Sequence, residues 1–554
     1  MRTLPICKKI PHLSLKKAFL ISFILMGPLY VLMKHLSKHV DDNVPVVLKY
    51  NTDLYFNFTL YGCTKPLRWY TYHPECLSLM ADPLFDFRLT VDPSKSKVIM
   101  LSDTSNLKIG DSVRLRIDLY DGYGHRRDFG GDDIRVRMYD PSIDASSVGH
   151  VTDHKNGSYF VDMLALWSGR SRISVMLFYP REAVRSLYHV RRQLTGTRAL
   201  LGKFQTEKAE AVTPCHPFPV IPGFKAVCNL TNENGGMSWY CGKPNDNNLL
   251  CHDWVETKLR TPPTKLPLTD AEKRLLTKDA IGRIIADEIV IYVSKERNES
   301  LQCKEWTLSS LWDQTSPTGF FIRKKWNSLL CINEMNKDFH MKCMNRTRLY
   351  LLGDSTLRQW YIELKDLLDC EPNSEAWTKE KWHKPTSCFN SELDIGMQWL
   401  PHAYPFFTGP NYELRRYKRP VIAYIDEIDS ETKAIIVIHL YAHFISYHPD
   451  VFRDRFKSVV VSARNLLTRN PHAIILIKGP HSFKGAGGEY DRLNDFFGYV
   501  YKDIMLEEIG DLRDRVIYLD MKDMTIAEDI PEIHPNMEIV REMVKLMLLF
   551  VCWK

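Results

Sequence analysis

Apolar and polar residues alternate strictly in the second hundred residues of the chain. Residues 112–119 place Val, Leu, Ile and Leu on one face and Ser, Arg, Arg and Asp on the other, which is typical of a half-buried β-strand. Further strands of this kind are predicted at residues 134–138, 158–163 and 171–178, with glycine-containing turn signals between them. Several short strands at this spacing predict an immunoglobulin-like β-sandwich over residues 91–200.

From about residue 345 the pattern changes to apolar strands that alternate with segments of helical spacing. Residues 434–440 form an apolar, β-branched strand, residues 451–467 have the spacing of a helix, and residues 473–478 return to strand. The remaining elements follow the same order, with strands at 348–352 and 516–519 and helices at 356–368 and 537–550. This order predicts a parallel α/β sheet with crossover helices, in a domain that covers residues 341–554.

Between these two regions, residues 201–340 are rich in cysteine, proline and tryptophan. Four cysteines from position 215 to position 251 enclose loops whose order is expected to depend on disulfides. Within this Cys-rich connecting segment, residues 271–293 have helical character. The sequence therefore predicts a multidomain chain in which a β-sandwich, a Cys-rich segment and an α/β domain follow one another.

The first ninety residues are predicted to contain a membrane-targeting segment followed by a stem. Residues 18–33 are sixteen positions without a charge, which is long for a secretory signal and close to the length that spans a thin bilayer. Five basic residues precede this run and two follow it closely, so the charge bias keeps residues 1–17 in the cytosol as a leader. We therefore expect an uncleaved signal-anchor at 18–33 and a stem at 34–90, with a cleaved signal as the alternative.

Cysteines and glycosylation motifs both favour a lumenal body. Of thirteen cysteines, Cys7 lies on the predicted cytosolic side, and the remaining twelve are an even number suited to disulfides. No Cys-x-x-Cys pair occurs and the spacings do not fit a zinc site, so no metal site is expected. The motif Asn-x-Ser/Thr, an acceptor of N-glycosylation, occurs only after the apolar run, at Asn57, Asn156, Asn229, Asn298 and Asn345.

Composition and charge indicate a folded globular protein and argue against a nucleic-acid partner. The chain has 554 residues, of which 44% are hydrophobic and 25% charged, the usual figures for folded globular protein. Its net charge of +7 arises from 74 basic and 67 acidic residues, and five of the basic residues lie in the first seventeen positions. The rest of the chain is nearly neutral and has no concentrated basic face, so no nucleic-acid partner is expected.

The tripeptide Gly353-Asp354-Ser355 follows the predicted strand at 348–352 and begins the next helix. Residues at the carboxyl ends of parallel strands lie where α/β proteins bind ligands, and the N–H groups of a helix N-terminus there stabilise negative charge on an attacked carbonyl. Ser355 is therefore a candidate nucleophile, which needs a base from elsewhere in the chain. The alternative is that Asp354 and Ser355 only cap the helix, a common use of both residue types.

A histidine near the carboxyl end is the candidate base. His534 lies between the last predicted strand and the last predicted helix, where a loop can come over the strand ends. It would act as general base and then as general acid for Ser355. A nearby carboxylate would fix its tautomer and stabilise the imidazolium, as in any serine triad.

These motifs resemble those of the SGNH (GDSL-like) hydrolases, and more closely those of their PC-esterase branch. The whole layout resembles the neurexophilin and PC-esterase domain family, in which a signal or anchor, a neurexophilin-like β-sandwich, a Cys-rich segment and a PC-esterase domain follow one another. The resemblance covers nearly all of the predicted lumenal chain. It is most specific at residues 351–360 and 438–444.

The resemblance implies a role for each matching residue. Ser355 matches the family's nucleophile, Gly353 and Asp354 match its flanking pair, and His534 matches the catalytic histidine. His443 lies where SGNH enzymes place a polar residue of the oxyanion hole. It either donates a hydrogen bond there or is a satisfied polar contact.

One position departs from the family's pattern, which has a carboxylate three residues before the histidine. Here that position is Pro531, and the available acids are Asp529 and Glu532. Glu532 shares a side with His534 in an extended chain, whereas Asp529 has five residues in which to fold back. We expect Asp529 to orient His534, with Glu532 as the alternative. Without either acid the site is a dyad or is not catalytic.

The resemblance implies an enzyme of the secretory pathway that transfers or removes O-acyl groups, typically acetyl, on cell-surface glycans through a serine acyl-enzyme. Its acceptor would be a glycan or a glycoprotein, and acetyl-CoA is a candidate donor. No nucleotide-phosphate loop occurs, and no bound cofactor is expected. The alternative is a catalytically degenerate, neurexophilin-like glycoprotein, secreted or membrane-anchored, whose sandwich binds a receptor.

Overall fold

The computed structural model of the chain describes residues 83–191, 197–260, 265–298, 302–332, 336–373, 384–406, 413–414, 417–485 and 489–553. The predicted leader and signal-anchor, most of the predicted stem, and Asn57 with it, lie outside the described residues. Across these described ranges, none of the helices has the length and apolar character needed to span a bilayer.

The described chain is rich in β-strands and contains several sheets. The strands are β1 Lys97–Met100, β2 Leu107–Ile109, β3 Ser112–Asp118, β4 Asp133–Asp140, β5 Ala145–Val148, β6 His150–Asp153, β7 Ser158–Leu164, β8 Gly169–Tyr179, β9 Leu200–Gln205, β10 Glu210–His216, β11 Val227–Asn229, β12 Tyr240–Gly242, β13 Trp254–Leu259, β14 Arg283–Arg297, β15 Gly319–Ile322, β16 Lys325–Ser328, β17 Arg348–Gly353, β18 Glu371–Pro372, β19 Thr386–Asn390, β20 Ile395–Pro401, β21 Glu413–Leu414, β22 Ala434–His439, β23 Ile474–Lys478 and β24 Val516–Leu519. The α-helices are α1 Arg181–Arg191, α2 Asp270–Leu275, α3 Lys337–Cys343, α4 Ser355–Leu367, α5 Val421–Asp426, α6 Pro449–Arg469, α7 Phe497–Glu508, α8 Lys522–Ala527 and α9 Met537–Val551.

Two sheets, built mainly from strands in the first part of the described chain, share one hydrophobic core. The smaller sheet has the order β1-β3-β7-β6 and the larger one the order β16-β15-β5-β4-β8-β14-β2. In β3, Val113, Leu115 and Ile117 are buried in the core that the two sheets share, whereas Ser112 and Arg114 are exposed. The four strands predicted from alternation are confirmed as β3, β4, β7 and β8. We call these two sheets the two-sheet unit.

The predicted helical character of residues 271–293 is wrong for most of that range. A short helix, α2, ends at Leu275, and β14 then pairs antiparallel with β8 along most of its length. Ile and Val residues dominate the middle of β14, and such β-branched side chains fit a sheet surface better than a helix. Since β14, β15 and β16 all join the larger sheet, the two-sheet unit draws on strands well beyond residue 200.

The Cys-rich segment forms a sheet of its own, in the order β11-β12-β10-β9-β13-β21. One disulfide, Cys215–Cys241, joins residues that face each other on β10 and β12. The prediction that the cysteines form disulfides is confirmed for the described residues, while Cys63 and Cys76 lie outside them. The further disulfides among the described residues are Cys228–Cys251, Cys303–Cys331, Cys343–Cys552 and Cys370–Cys388.

The carboxyl-terminal region contains a sheet in the order β18-β19-β20-β17-β22-β23-β24, of which β20, β17, β22, β23 and β24 run parallel. Its central strands are buried on both faces. In β22, Ala434, Ile436 and Ile438 pack into a core that includes α6 and α7, whereas Ile435 and Val437 pack into a core that includes α4 and α9. The strands and helices predicted from residue 345 onward are confirmed as β17, α4, β22, α6, β23, β24 and α9.

The close approach of β17 and β22 requires a glycine at the end of β17. Gly353 pairs with His439, and a Cβ atom added at Gly353 would lie 2.2 Å from the backbone oxygen of His439. Any side chain at this position would therefore force the two strands apart at the point where the chain enters α4.

We expect Gly353→Ala to lower the free energy of unfolding by roughly 1–3 kcal/mol, because the added methyl group meets a backbone atom that cannot move aside. Gly396→Ala, on the neighbouring strand β20, is the control, since its added Cβ would meet mainly the flexible side chain of Arg348. Thermal or denaturant unfolding measures both. An equal loss in the two variants would contradict the argument.

Candidate active site

Ser355 and His534 form a hydrogen-bonded pair at the carboxyl edge of the parallel sheet. Ser355 is the first residue of α4, directly after the end of β17, and its Oγ lies 2.8 Å from Nε2 of His534. The two residues are 179 positions apart in the sequence and are brought together by the fold. A serine hydroxyl at this distance from an imidazole nitrogen has the geometry of a nucleophile and its base.

Asp354 caps α4 and leaves Ser355 free for this contact. Its Oδ1 accepts hydrogen bonds from the Thr356 backbone N–H at 2.9 Å and from the Thr356 hydroxyl at 2.8 Å. Its Oδ2 accepts one from the backbone N–H of Ala442 at 3.1 Å, so the carboxylate also ties α4 to the loop after β22. The capping role considered for both residues therefore falls to Asp354, whose side chain is the N-cap of α4.

A buried basic group contacts the same Thr356 hydroxyl that donates a hydrogen bond to Asp354. Lys478, the last residue of β23, places its Nζ 3.2 Å from Oγ1 of Thr356 and 3.1 Å from Nε2 of His439. The Nδ1 atom of His439 lies 2.8 Å from the carbonyl oxygen of Lys478 and therefore carries the proton that it donates there. Asp354, His439 and Lys478 are all at most 2% exposed.

The charges in this buried cluster depend on one another. Burial lowers the pKa of Lys478 to about 7, although the charge of Asp354 opposes that shift. Burial and the charge of Lys478 lower the pKa of His439 to about 3, so His439 is neutral. Burial alone would raise the pKa of Asp354, but the surrounding basic groups and the Thr356 hydrogen bond hold it well below the ordinary value. Asp354 is therefore a carboxylate under all ordinary conditions.

The structure does not bring the expected acid to the histidine ring. Asp529 has a φ of +48° and its carboxylate lies 3.8 Å from Nζ of Lys484. Glu532 is exposed, and its backbone forms a bridge with Gly485. Within the described part of the chain, no carboxylate oxygen lies within 4.0 Å of a ring nitrogen of His534. Ser355 and His534 therefore stand as a dyad in this structure.

His534 is exposed at the surface, yet the protein atoms around it partly desolvate it and shift its pKa downward from its ordinary value of 6.5. The negative charge of Asp354 opposes this shift, and the positive charge of Arg358 adds to it. The imidazole is consequently neutral at neutral pH, as a general base must be before it accepts a proton.

The hydrogen bonds of His402 define the tautomer of His443. His402 Nδ1 lies 2.7 Å from the carbonyl oxygen of Ala403, which can only accept, so this nitrogen carries a proton. Burial lowers the pKa of His402 to about 4, so the ring is neutral and its Nε2 is an acceptor. Nδ1 of His443, 2.9 Å from that Nε2, must therefore donate. A neutral His443 then has no proton on Nε2, and only its imidazolium form could donate to an oxyanion from that atom.

Sequence reasoning missed the buried Lys478 beside Asp354 and two residues that contact the backbone next to His534. These are His481, whose Nε2 lies 2.7 Å from the carbonyl oxygen of Ile533, and Gln359, whose Nε2 lies 2.7 Å from that of Pro535. Lys478 and His481 both follow the apolar run of β23, and polar residues after a buried parallel strand are the signal that could have identified them. Gln359, one turn into α4, gives no such signal. In the described chain, no group of three or more His, Cys, Asp or Glu side chains is arranged to hold a metal ion.

The predicted glycosylation acceptors that the structure describes lie at or near the surface. Asn156, Asn229 and Asn345 are exposed. Asn298 is half-buried, and its Nδ2 donates a hydrogen bond to Oδ1 of Asp111 at 2.7 Å. The first three are therefore accessible to a glycan without any rearrangement.

Two family models match the chain. Residues 326–552 match the model described as NXPE family member 4-like, C-terminal domain, and residues 76–255 match the model described as Neurexophilin. The first match includes Ser355, His443 and His534. The second includes much of the two-sheet unit and the first four cysteines of the Cys-rich segment.

We expect neither Asp529→Asn nor Glu532→Gln to lower the rate at which a fluorophosphonate probe labels Ser355 by more than about threefold. Neither carboxylate contacts the His534 ring, and substitutions away from key contacts change free energies by roughly 0.5 kcal/mol. Mass spectrometry of the labelled peptide gives the rate. A loss of about a thousandfold or more in one variant alone would identify that residue as the orienting acid.

The labelling rate of Ser355 should rise with pH and level off, with a midpoint below 6.5. The reason is that only neutral His534 can act as the base. Since desolvation lowers its pKa from 6.5, the imidazole becomes protonated, and labelling slows, only when the pH falls through this lowered pKa. The measurement is the initial labelling rate at pH values from 4.5 to 8. This range extends to about two units below 6.5, so it covers a midpoint that has been shifted downward. A midpoint above 6.5 would show that the base is not desolvated.

Proposed function

We propose, from the membership of this chain in the neurexophilin and PC-esterase domain family, that it is a secretory-pathway glycoprotein that transfers or removes O-acyl groups on cell-surface glycans. The reaction runs through an acyl ester on Ser355. The observation that carries the proposal is the 2.8 Å contact between Ser355 Oγ and His534 Nε2 at the carboxyl edge of a parallel sheet.

In the first step Ser355 Oγ attacks the carbonyl carbon of the acyl donor while its proton passes to Nε2 of His534. The carbonyl electron pair moves to the oxygen, which becomes an oxyanion in a tetrahedral intermediate. When this intermediate collapses, the bond to the donor's leaving group breaks and the leaving group takes the proton from His534. The product is the acyl ester of Ser355.

In the second step a hydroxyl group of a sugar, or water, attacks the ester. His534 removes its proton and returns it to Ser355 Oγ as the ester bond breaks, so the free dyad is regenerated. A sugar acceptor makes the protein an O-acyltransferase, and water makes it an esterase. We favour acetyl as the acyl group and a glycan as the acceptor, with acetyl-CoA as a candidate donor, on the resemblance to the family.

Stabilisation of the oxyanion falls to the start of α4. The backbone N–H of Ser355, at the first position of the helix, has no acceptor within the helix and can donate to the oxyanion. The positive end of the helix dipole adds to this effect. His443 would contribute a second donor in its imidazolium form, because its Nδ1 proton is already committed to His402.

Disulfides in the described chain are typical of proteins that fold in the secretory pathway. We extend this to a protein held in the membrane by residues 18–33, with residues 1–17 in the cytosol and a glycosylated body in the lumen. A cleaved signal and a secreted protein are the alternative. The acceptors Asn156, Asn229 and Asn345 are exposed, which supports glycosylation.

A second candidate function is that of a binding protein. The neurexophilin match over residues 76–255 and the shared core of the two sheets support an immunoglobulin-like, neurexophilin-like sandwich that binds a receptor. The lack of a carboxylate beside His534 in the described chain supports a degenerate site. In this case the α/β region, SGNH-like in its parallel sheet and its Gly-Asp-Ser turn, would be a scaffold.

The test that separates the two functions is labelling of the purified full-length protein with a fluorophosphonate probe. We expect Ser355 to be labelled in the wild type and Ser355→Ala to be unlabelled, because only an activated serine reacts. The substitution removes one exposed hydrogen bond, so the free energy of unfolding should change by no more than about 1 kcal/mol.

Ser430→Ala is the control, since Ser430 is exposed and remote from the strand ends at which Ser355 lies. A wild-type protein that is folded and remains unlabelled would favour the binding protein. Labelling that persists in Ser355→Ala would show that the nucleophile has been assigned to the wrong residue.

A further inference from the structure

We propose that His481 and Gln359 position His534 by holding the backbone on either side of it, and that this clamp takes the place of an orienting carboxylate. The inference rests on the proposed function, since it assigns the support of the same Ser355–His534 pair. Both residues are positioning residues, because each acts through the chain that carries His534.

His481 holds the residue before the base. Its Nε2 lies 2.7 Å from the carbonyl oxygen of Ile533. A carbonyl oxygen only accepts, so Nε2 of His481 carries a proton and donates it. The ring is 1% exposed and is packed against Tyr441 at 5.4 Å between ring centroids. His481 is thus a rigid, buried donor aimed at the residue next to His534.

The ring of His481 is held in one tautomer. Its Nδ1 is buried and has no hydrogen-bond partner among the described residues. A second proton there would be left without an acceptor, and burial together with the charge of Lys478 lowers the pKa of His481 well below 6.5. The donor to Ile533 therefore persists across the pH range in which His534 changes its charge.

Gln359 holds the residue after the base. Its Nε2 donates a hydrogen bond to the carbonyl oxygen of Pro535 at 2.7 Å. Gln359 lies on α4, four positions after Ser355. The helix that carries the nucleophile is therefore hydrogen-bonded to the loop that carries the base. The carbonyl groups of Ile533 and Pro535 are thereby both engaged by side-chain N–H donors.

The chain that follows β23 supports the rest of this loop. The backbone N–H of Lys484 donates to the carbonyl oxygen of Pro531 at 3.1 Å, and Gly485 forms a bridge with Glu532. Nζ of Lys484 lies 3.8 Å from the carboxylate of Asp529. This long, partly exposed ion pair adds little, and the loop before His534 is held chiefly by the backbone contacts at Pro531 and Glu532.

A clamp on the backbone can do part of what the acid of a triad does. The acid of a triad holds the ring in place and stabilises the imidazolium. Here the two carbonyl contacts restrict the Cα position of His534, and its contact with Ser355 then directs the ring. Loss of position by about 1 Å costs on the order of a hundredfold in rate, so a loosened clamp should be measurable.

The experiment compares three substitutions at one position in the full-length protein. In His481→Gln the side-chain amide can place an N–H near the position of Nε2. In His481→Asn the amide reaches only to the position of Nδ1, where no acceptor exists among the described residues. His481→Leu has no donor. The readouts are the fluorophosphonate labelling rate of Ser355, corrected for the folded fraction, and hydrogen exchange of the peptide that contains residues 531–536.

We expect His481→Asn and His481→Leu to label roughly ten- to a hundredfold more slowly and to exchange faster in the loop, with both effects restored in His481→Gln. His472→Leu is the matched control, since His472 is exposed at the opposite end of β23. Gln359→Leu, which has no donor and adds no charge, should slow labelling in the same direction, and unchanged labelling in this variant would remove Gln359 from the clamp.

Equal labelling rates for Gln, Asn and Leu at position 481 would overturn the clamp. So would hydrogen exchange of residues 531–536 that is unchanged in His481→Leu. A different outcome concerns the proposed function. If the folded wild type is not labelled but exchange still separates Gln from Asn and Leu, the clamp holds His534 and the acyl-enzyme proposal fails. If the wild type is labelled but the Gln, Asn and Leu variants at position 481 cannot be distinguished, the acyl-enzyme proposal stands and the clamp fails.

Discussion

The buried carboxylate of Asp354 is the interaction on which the arrangement of the site depends. It caps α4, ties that helix to the loop after β22, and offsets the charge of Lys478 in a region without solvent. It is also the largest influence that favours the protonated form of His534. A charged group without solvent is stable only when such partners surround it. One acidic residue beside the nucleophile thus shapes both the backbone and the electrostatics of the pair.

Local patterns account for most of the strands and helices and for both members of the pair. The alternation in β3 reflects a strand that is buried on one face, and the continuous apolar run of β22 reflects a strand that is buried on both. Ser355 is identified by its position after the end of a parallel strand. What the sequence could not reveal depends on partners far along the chain. Residues 283–297 form a strand because β8 is beside them, and the carboxylate of Asp529 lies beside Lys484 and not beside His534.

A dyad differs from a triad in the groups that orient the histidine ring and stabilise its imidazolium form. In the proposed mechanism, when His534 accepts the proton of Ser355, the negative charge that most favours the imidazolium is that of Asp354, which makes no hydrogen bond to the His534 ring. That charge favours the imidazolium through space but cannot fix the ring by a hydrogen bond to Nδ1. Orientation and charge stabilisation, which one carboxylate supplies in a triad, are here separated between a backbone clamp and a helix cap.

The two-sheet unit contributes to the same support, so the enzyme and the binding protein are not independent alternatives. Arg135 of β4 forms a buried ion pair with Asp495 at 2.7 Å and also contacts the hydroxyl of Ser482, the residue after His481. Ser146 of β5 donates to Glu528, just before the loop of His534. Loss of the Arg135 side chain in the intact fold would leave Asp495 buried without its ion-pair partner, which is costly. The α/β region therefore depends on the two-sheet unit, and the proposed enzyme and the proposed binding protein share the contacts that support the Ser355–His534 pair.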